Sequence, residues 1–169
     1  MSRSLLDQLA ENTRRDEHGK IHAGELFGIS PIVEVAGSTK AYFLFQSGSV
    51  PRTHVTVGCV ATGECIVRVH TGYTVTDSGV LVPFGNYNLL STNTAQATAY
   101  TGTTVSNEGS MTLDFLVPGG TGGNAIGGVG GDGREILYPP STQRLISIEN
   151  LGGAAIRAEL YITLYEREP

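Results

Sequence analysis

Tryptophan is missing from this 169-residue chain, and it carries only two cysteines, two methionines and four histidines. Charge is scarce too: 11 Lys and Arg stand against 16 Asp and Glu, for a net charge of −5. Each shortage excludes something. So few charges cannot clothe the exposed faces of a helical bundle. A negative balance with no basic stripe argues against nucleic acid or an anionic membrane as partner. The densest basic pair, Arg14-Arg15, is followed at once by Asp16 and Glu17. No run approaches the ~18 apolar residues of a membrane-spanning helix. The opening Met1-Ser2-Arg3-Ser4-Leu5-Leu6-Asp7 has no apolar core of secretory length. Synthesis in a cytoplasm is therefore expected, with Cys59 and Cys65 reduced.

What is abundant is glycine, 23 residues of it, beside Val, Ile, Thr and Tyr. These suit strands joined by tight turns, and the length suits one domain with a sizeable core.

Residues 1–30 stand apart and read as an N-terminal extended or helical arm, with the body over 31–169. Ser4 and Asp7 have the spacing of a capping box, and Leu5, Leu6 and Leu9 make one narrow apolar face. A helix fading near residues 16–19 is too short to be stable alone, so it must dock. It can fold back on its own domain or reach a neighbouring subunit. Leu5, Leu6, Leu9, Ile21, Leu26 and Phe27 are the apolar contacts such an arm offers.

From Pro31 onward, alternation of period two takes over. Strands are predicted at Ile32-Val33-Glu34-Val35 and over 40–45. Val55, Val57 and Cys59 share a face, as do Cys65, Val67 and Val69. A three-residue hairpin at Ala61-Thr62-Gly63 would put Cys59 opposite Cys65, as two small buried residues or as a pair able to oxidise or bind metal. The same register sets His54 opposite His70 on the outer face, either as solvated side chains or as a weak metal pair. Further strands are read before and after Asp77-Ser78-Gly79, over 95–105, and over 111–117 with Met111, Leu113, Phe115 and Val117 inward. A glycine-dominated loop over 118–133 carries only Ile126 and Val129 as sizeable apolar groups; long loops of this kind are functional or disordered. The last strand is the clearest, with Ile156, Ala158, Leu160, Ile162 and Leu164 inward. Eight to ten strands without intervening helices predict an all-β sandwich or barrel, with a jelly-roll β-sandwich leading.

Catalytic chemistry is not evident. Gly128-Val129-Gly130-Gly131-Asp132-Gly133 satisfies a dinucleotide-binding pattern, but no helix follows to hold a pyrophosphate. The overlapping calcium-repeat-like stretch occurs once, where stacked copies are needed. Phosphate-loop, nucleophile-elbow and zinc-protease patterns are absent. No enzyme activity and no cofactor is expected.

Three further stretches carry a resemblance: Gly72-Tyr73-Thr74-Val75-Thr76-Asp77-Ser78-Gly79-Val80-Leu81-Val82-Pro83-Phe84-Gly85-Asn86, Arg134-Glu135-Ile136-Leu137-Tyr138-Pro139 with Arg144-Leu145-Ile146 and Asn150-Leu151-Gly152-Gly153, and the closing Leu164-Tyr165-Glu166. In this order they resemble a family of tailed-phage virion proteins over about two thirds of the chain. Ile136 stands where that family commonly has Trp, and residues 1–30 do not align. The resemblance implies a jelly-roll capsid decoration or cement protein, a homotrimer made in the host cytoplasm and bound to the major capsid protein on the virion exterior. The arm would bridge subunits, and Ile126 and Val129 would lie at a symmetry axis. A head-fibre, spike or glycan-binding host-receptor module is the alternative.

Overall fold

The computed structural model describes residues 18–49, 52–119, 127–128 and 135–167. The chain is all-β, preceded by one helical turn over 18–23. Its strands are β1 (Leu26–Ile29), β2 (Ile32–Val35), β3 (Lys40–Gln46), β4 (Arg52–Ala61), β5 (Cys65–Thr71), β6 (Thr74–Asp77), β7 (Val80–Val82) and β8 (Gly85–Asn86). There follow β9 (Thr98–Thr101), β10 (Thr104–Asn107), β11 (Ser110–Val117), β12 (Gly127–Gly128), β13 (Glu135–Tyr138), β14 (Gln143–Asn150) and β15 (Ile156–Arg167).

One sheet runs β12-β4-β15-β1-β8, with β13 beside β12 on the edge of β4 and β2 beside β1 on the edge of β15. The other runs β11-β5-β14-β3-β9-β7, and β6 pairs with β10 as a separate ribbon. Every ladder is antiparallel. The two large sheets enclose one core. Val55, Val57 and Cys59 of β4 and the predicted row of β15 meet Phe43, Phe45, Val67, Ile146 and Ile148 of the second sheet. Alternation explains this, because a strand buried on one side must place every second residue inward.

Three expectations change. The loop over 61–63 is not a hairpin: β4 pairs with β15 and β13, whereas β5 pairs with β14 and β11, so the chain crosses from one sheet to the other there. Parity fixes the face that points inward but not the partner strand, and a crossing satisfies it as well as a hairpin. Met111 is exposed rather than inward, because a register shift between Met111 and Leu113 inserts an extra residue. Finally, the body begins before Pro31. Ile29 lies opposite Ile162 and Ile32 opposite Glu159, one register running unbroken through β1 and β2. Pro31 removes one donor from this strand without ending it, and Leu160 N still donates to Pro31 O (3.1 Å). Residues 26–29, assigned to the arm by sequence, are therefore part of the sandwich.

Candidate binding surface

The residues expected to make contacts divide into three groups. Leu5, Leu6, Leu9, Ile126 and Val129 lie outside the described residues. Ile21 and Leu26 are half-buried. Phe27 is a core residue, 4% exposed, and is corrected from arm contact to packing residue: it points between the sheets from β1.

The helical turn over 18–23 is fastened to the body on two sides. Lys20 is buried, and its Nζ sits 3.2 Å from the ring centroid of Tyr165 on β15, a cation–π contact. On the other side the loop over 86–93 grips the backbone. Asn88 Nδ2 donates to His22 O (3.2 Å), and Asn86 Nδ2 and Asn93 Nδ2 donate to Gly24 O (3.0 and 3.2 Å). Gly24 ends the turn at φ +69°, the left-handed conformation glycine adopts without strain. At Gly28 a Cβ would come within 2.6 Å of the Tyr87 ring, so glycine there lets Tyr87 lie against β1.

The same loop is stiffened from within. Asn88 N donates to Asn86 Oδ1 (2.8 Å), Leu90 N to Asn88 Oδ1 (3.0 Å) and Asn93 N to Ser91 Oγ (3.1 Å). These side chains replace backbone partners and hold the turns closed. At the tip, Leu89 and Leu90 are 92% and 95% exposed, with Tyr87 half-exposed beside them. These two adjacent leucines are the most exposed large apolar side chains among the described residues. Sequence reading passed over them. The available signal was an apolar pair framed by turn formers, Asn86, Asn88, Ser91 and Asn93.

The histidines expected to face each other do not. His54 lies on the outer face of the first sheet and His70 on the outer face of the second. His54 is stacked on Tyr165, centroids 4.2 Å apart. Its Nδ1 lies 2.7 Å from Tyr165 OH and 2.8 Å from Glu135 Oε1. One nitrogen serves both: protonated there, His54 donates to Glu135; otherwise it accepts from Tyr165.

His70 is buried rather than solvated, 3% exposed, with Nε2 2.9 Å from Ser147 Oγ. Burial holds its pKa below the ordinary histidine value. Nδ1 has no hydrogen-bond partner among the described residues. Ser147 is fully buried too, so this serine–histidine pair offers a substrate no approach. Nearby, Glu108 from the turn after β10 reaches back to β3. Lys40 Nζ donates to both its oxygens (2.7 and 2.8 Å), and Tyr42 OH donates to Oε1 (2.6 Å). Burial pushes Glu108 up, but those bonds outweigh it and hold the carboxyl below its usual range. Tyr42 is pushed up to about 12, chiefly by burial and then by its bond to Glu108. Arg68 and Glu149 form an ion pair alongside. This network clips the chain between β5 and β11 onto the second sheet.

Cys59 and Cys65 are buried free thiols on either side of the corner where the chain changes sheets, and Cys59 Sγ donates to Val60 O (3.8 Å). The neighbouring Cys65 thiol and burial together push the Cys59 thiol up. Among the described residues no three His, Cys, Asp or Glu gather as a metal site, and no helix is long and apolar enough to cross a membrane. No protein-family model, curated protein or solved structure matches the chain. What the structure establishes is its architecture: an all-β, sandwich-like protein with two exposed leucines at the tip of a hydrogen-bonded loop.

Proposed function

We propose that this chain is a jelly-roll structural protein of a tailed-phage virion, which binds the outside of the capsid and bridges its subunits. Strand order supports the jelly roll. Taking β1 with β2 as one strand, the eight strands of a jelly roll are β1/β2, β3, β4, β5, β11, β13, β14 and β15. The first, eighth, third and sixth are neighbours in one sheet, and the second, seventh, fourth and fifth in the other. That order is the wrapping produced by two Greek keys. Strands β6 to β10 form an insertion between the fourth and fifth.

The observation that carries the binding role is the Leu89–Leu90 tip, almost fully exposed yet fastened by hydrogen bonds to the helical turn over 18–23. This tip, with the helical turn over 18–23 beside it, is the attachment face for the major capsid protein. A homotrimer, assembled in the host cytoplasm and placed on the virion exterior, satisfies the symmetry of such a face.

The test is cosedimentation with bare capsids, with light scattering of the free protein. Replacing Leu89 and Leu90 by serine should weaken capsid binding at least tenfold while leaving the melting temperature unchanged, since neither side chain packs on the body. A monomer that ignores capsids and binds a glycan would overturn the proposal in favour of a host-recognition module.

A further inference from the structure

We infer that His18 and His22 form a two-imidazole site for a late first-row divalent cation, with Cu²⁺ the best fit. They stand one turn apart on the helical turn over 18–23, the spacing that places side chains on one face. Their Nε2 atoms are 3.0 Å apart, and their rings meet edge to face with centroids 4.4 Å apart. Both residues are exposed, so neither ring serves the core.

The mounting is what makes the pair more than two surface side chains. Lys20 lies halfway between them in sequence and therefore on the opposite face of the turn, where it is buried over Tyr165. With that face pinned, His18 and His22 point away from the sheet. Asn88 holds the His22 carbonyl, so its backbone is fixed before any ion arrives. The ordering cost of bringing two donors together is thereby met in advance.

Donor type and the affinity order select the ion. Imidazole nitrogen suits the late first-row cations, and among these Cu²⁺ binds a given set of nitrogen donors most tightly, ahead of Ni²⁺ and Zn²⁺. Mg²⁺ and Ca²⁺ favour oxygen and are excluded by the donor type. In the free protein one Nε2 donates its hydrogen to the other; on binding, both rings carry their hydrogen on Nδ1 and both Nε2 lone pairs go to the ion. Water completes the shell on the side facing away from the body. The inference is independent of the capsid reading.

Calorimetric titration of the untagged, full-length protein in a non-coordinating buffer tests it, with Cu²⁺, Ni²⁺, Zn²⁺ and Mg²⁺ in turn. One Cu²⁺ per chain is expected, then weaker Ni²⁺ and Zn²⁺, and no Mg²⁺. His18→Ala and His22→Ala should each weaken Cu²⁺ at least tenfold. Electron paramagnetic resonance of the Cu²⁺ form should show two coordinated imidazole nitrogens in the parent and one in each variant. No Cu²⁺ uptake, or parent-like binding by both variants, would overturn the assignment. A loss confined to one variant would reduce the site to a single ligand and overturn it equally.

Discussion

Asn150 joins three segments of the fold from a position that is 1% exposed, and one isosteric change tests that role. Its Nδ2 donates to Val35 O (3.0 Å), Ala36 O (3.1 Å) and Ala154 O (2.8 Å), while Oδ1 accepts from Gly152 N (2.9 Å). Asn150→Asp keeps the shape and the bond from Gly152, but turns a carboxylate oxygen toward three carbonyls. The amide has two hydrogens to share among those carbonyls, so the donors lost amount to about 2 kcal/mol. An uncompensated buried charge raises the total to about 5 kcal/mol near neutral pH. Repulsion and burial both disfavour ionisation, so the folded-state pKa of the new carboxyl rises above its unfolded ~3.9. The folded variant then binds the extra proton, and its stability returns as pH falls from that raised value toward ~3.9, by about 1.4 kcal/mol per unit. Asn150→Ala loses those bonds and the one from Gly152 as well, but carries no charge, and costs about 3 kcal/mol with no pH dependence of its own. Urea unfolding of the three proteins near pH 7 and near pH 5 separates these effects. Should the aspartate variant be unfolded at neutral pH, refolding on acidification gives the same reading. A loss under about 1 kcal/mol, or a gap to the parent that does not narrow in acid, would refute the reasoning.

Two further predictions follow from the second sheet. His70 is held below its unfolded pKa of about 6.5, so the unfolded chain takes up the proton first and the fold weakens as pH drops below ~6.5 toward the folded value; His70→Gln should flatten that part of the stability-versus-pH curve measured by thermal unfolding. Glu108→Gln should cost about 1 kcal/mol by removing the Lys40 ion pair, and in a spectrophotometric titration it should bring Tyr42 part of the way down from about 12, burial holding the rest.

Much of the architecture was readable as parity. All five inward residues predicted for β15 are buried, as are Val55, Val57 and Cys59 of β4 and Cys65, Val67 and Val69 of β5. The choice between hairpin and crossing was not readable, because the same alternation permits both. Pro31 read as a boundary since proline usually marks one; here the ladder continues past it. His70 has outward parity and read as solvated, but the chain between β5 and β11 folds back on that face through contacts distant in sequence. Leu5, Leu6 and Leu9, expected as arm contacts, lie outside the described residues, whereas the exposure of Leu89 and Leu90 gains meaning only once their loop is seen to be tied to Gly24.

The position of β15 has a consequence for how the molecule is made. It lies between β4 and the β1/β2 strand, and it follows both in the chain. During synthesis these partners leave the ribosome long before the strand that must slot between them. Until then each presents an open row of backbone donors and acceptors to the crowded cell. Pairing across so long a stretch of chain makes closure slow. Nascent chains of this protein are therefore most exposed to aggregation, and most in need of chaperones, in the interval before β15 emerges.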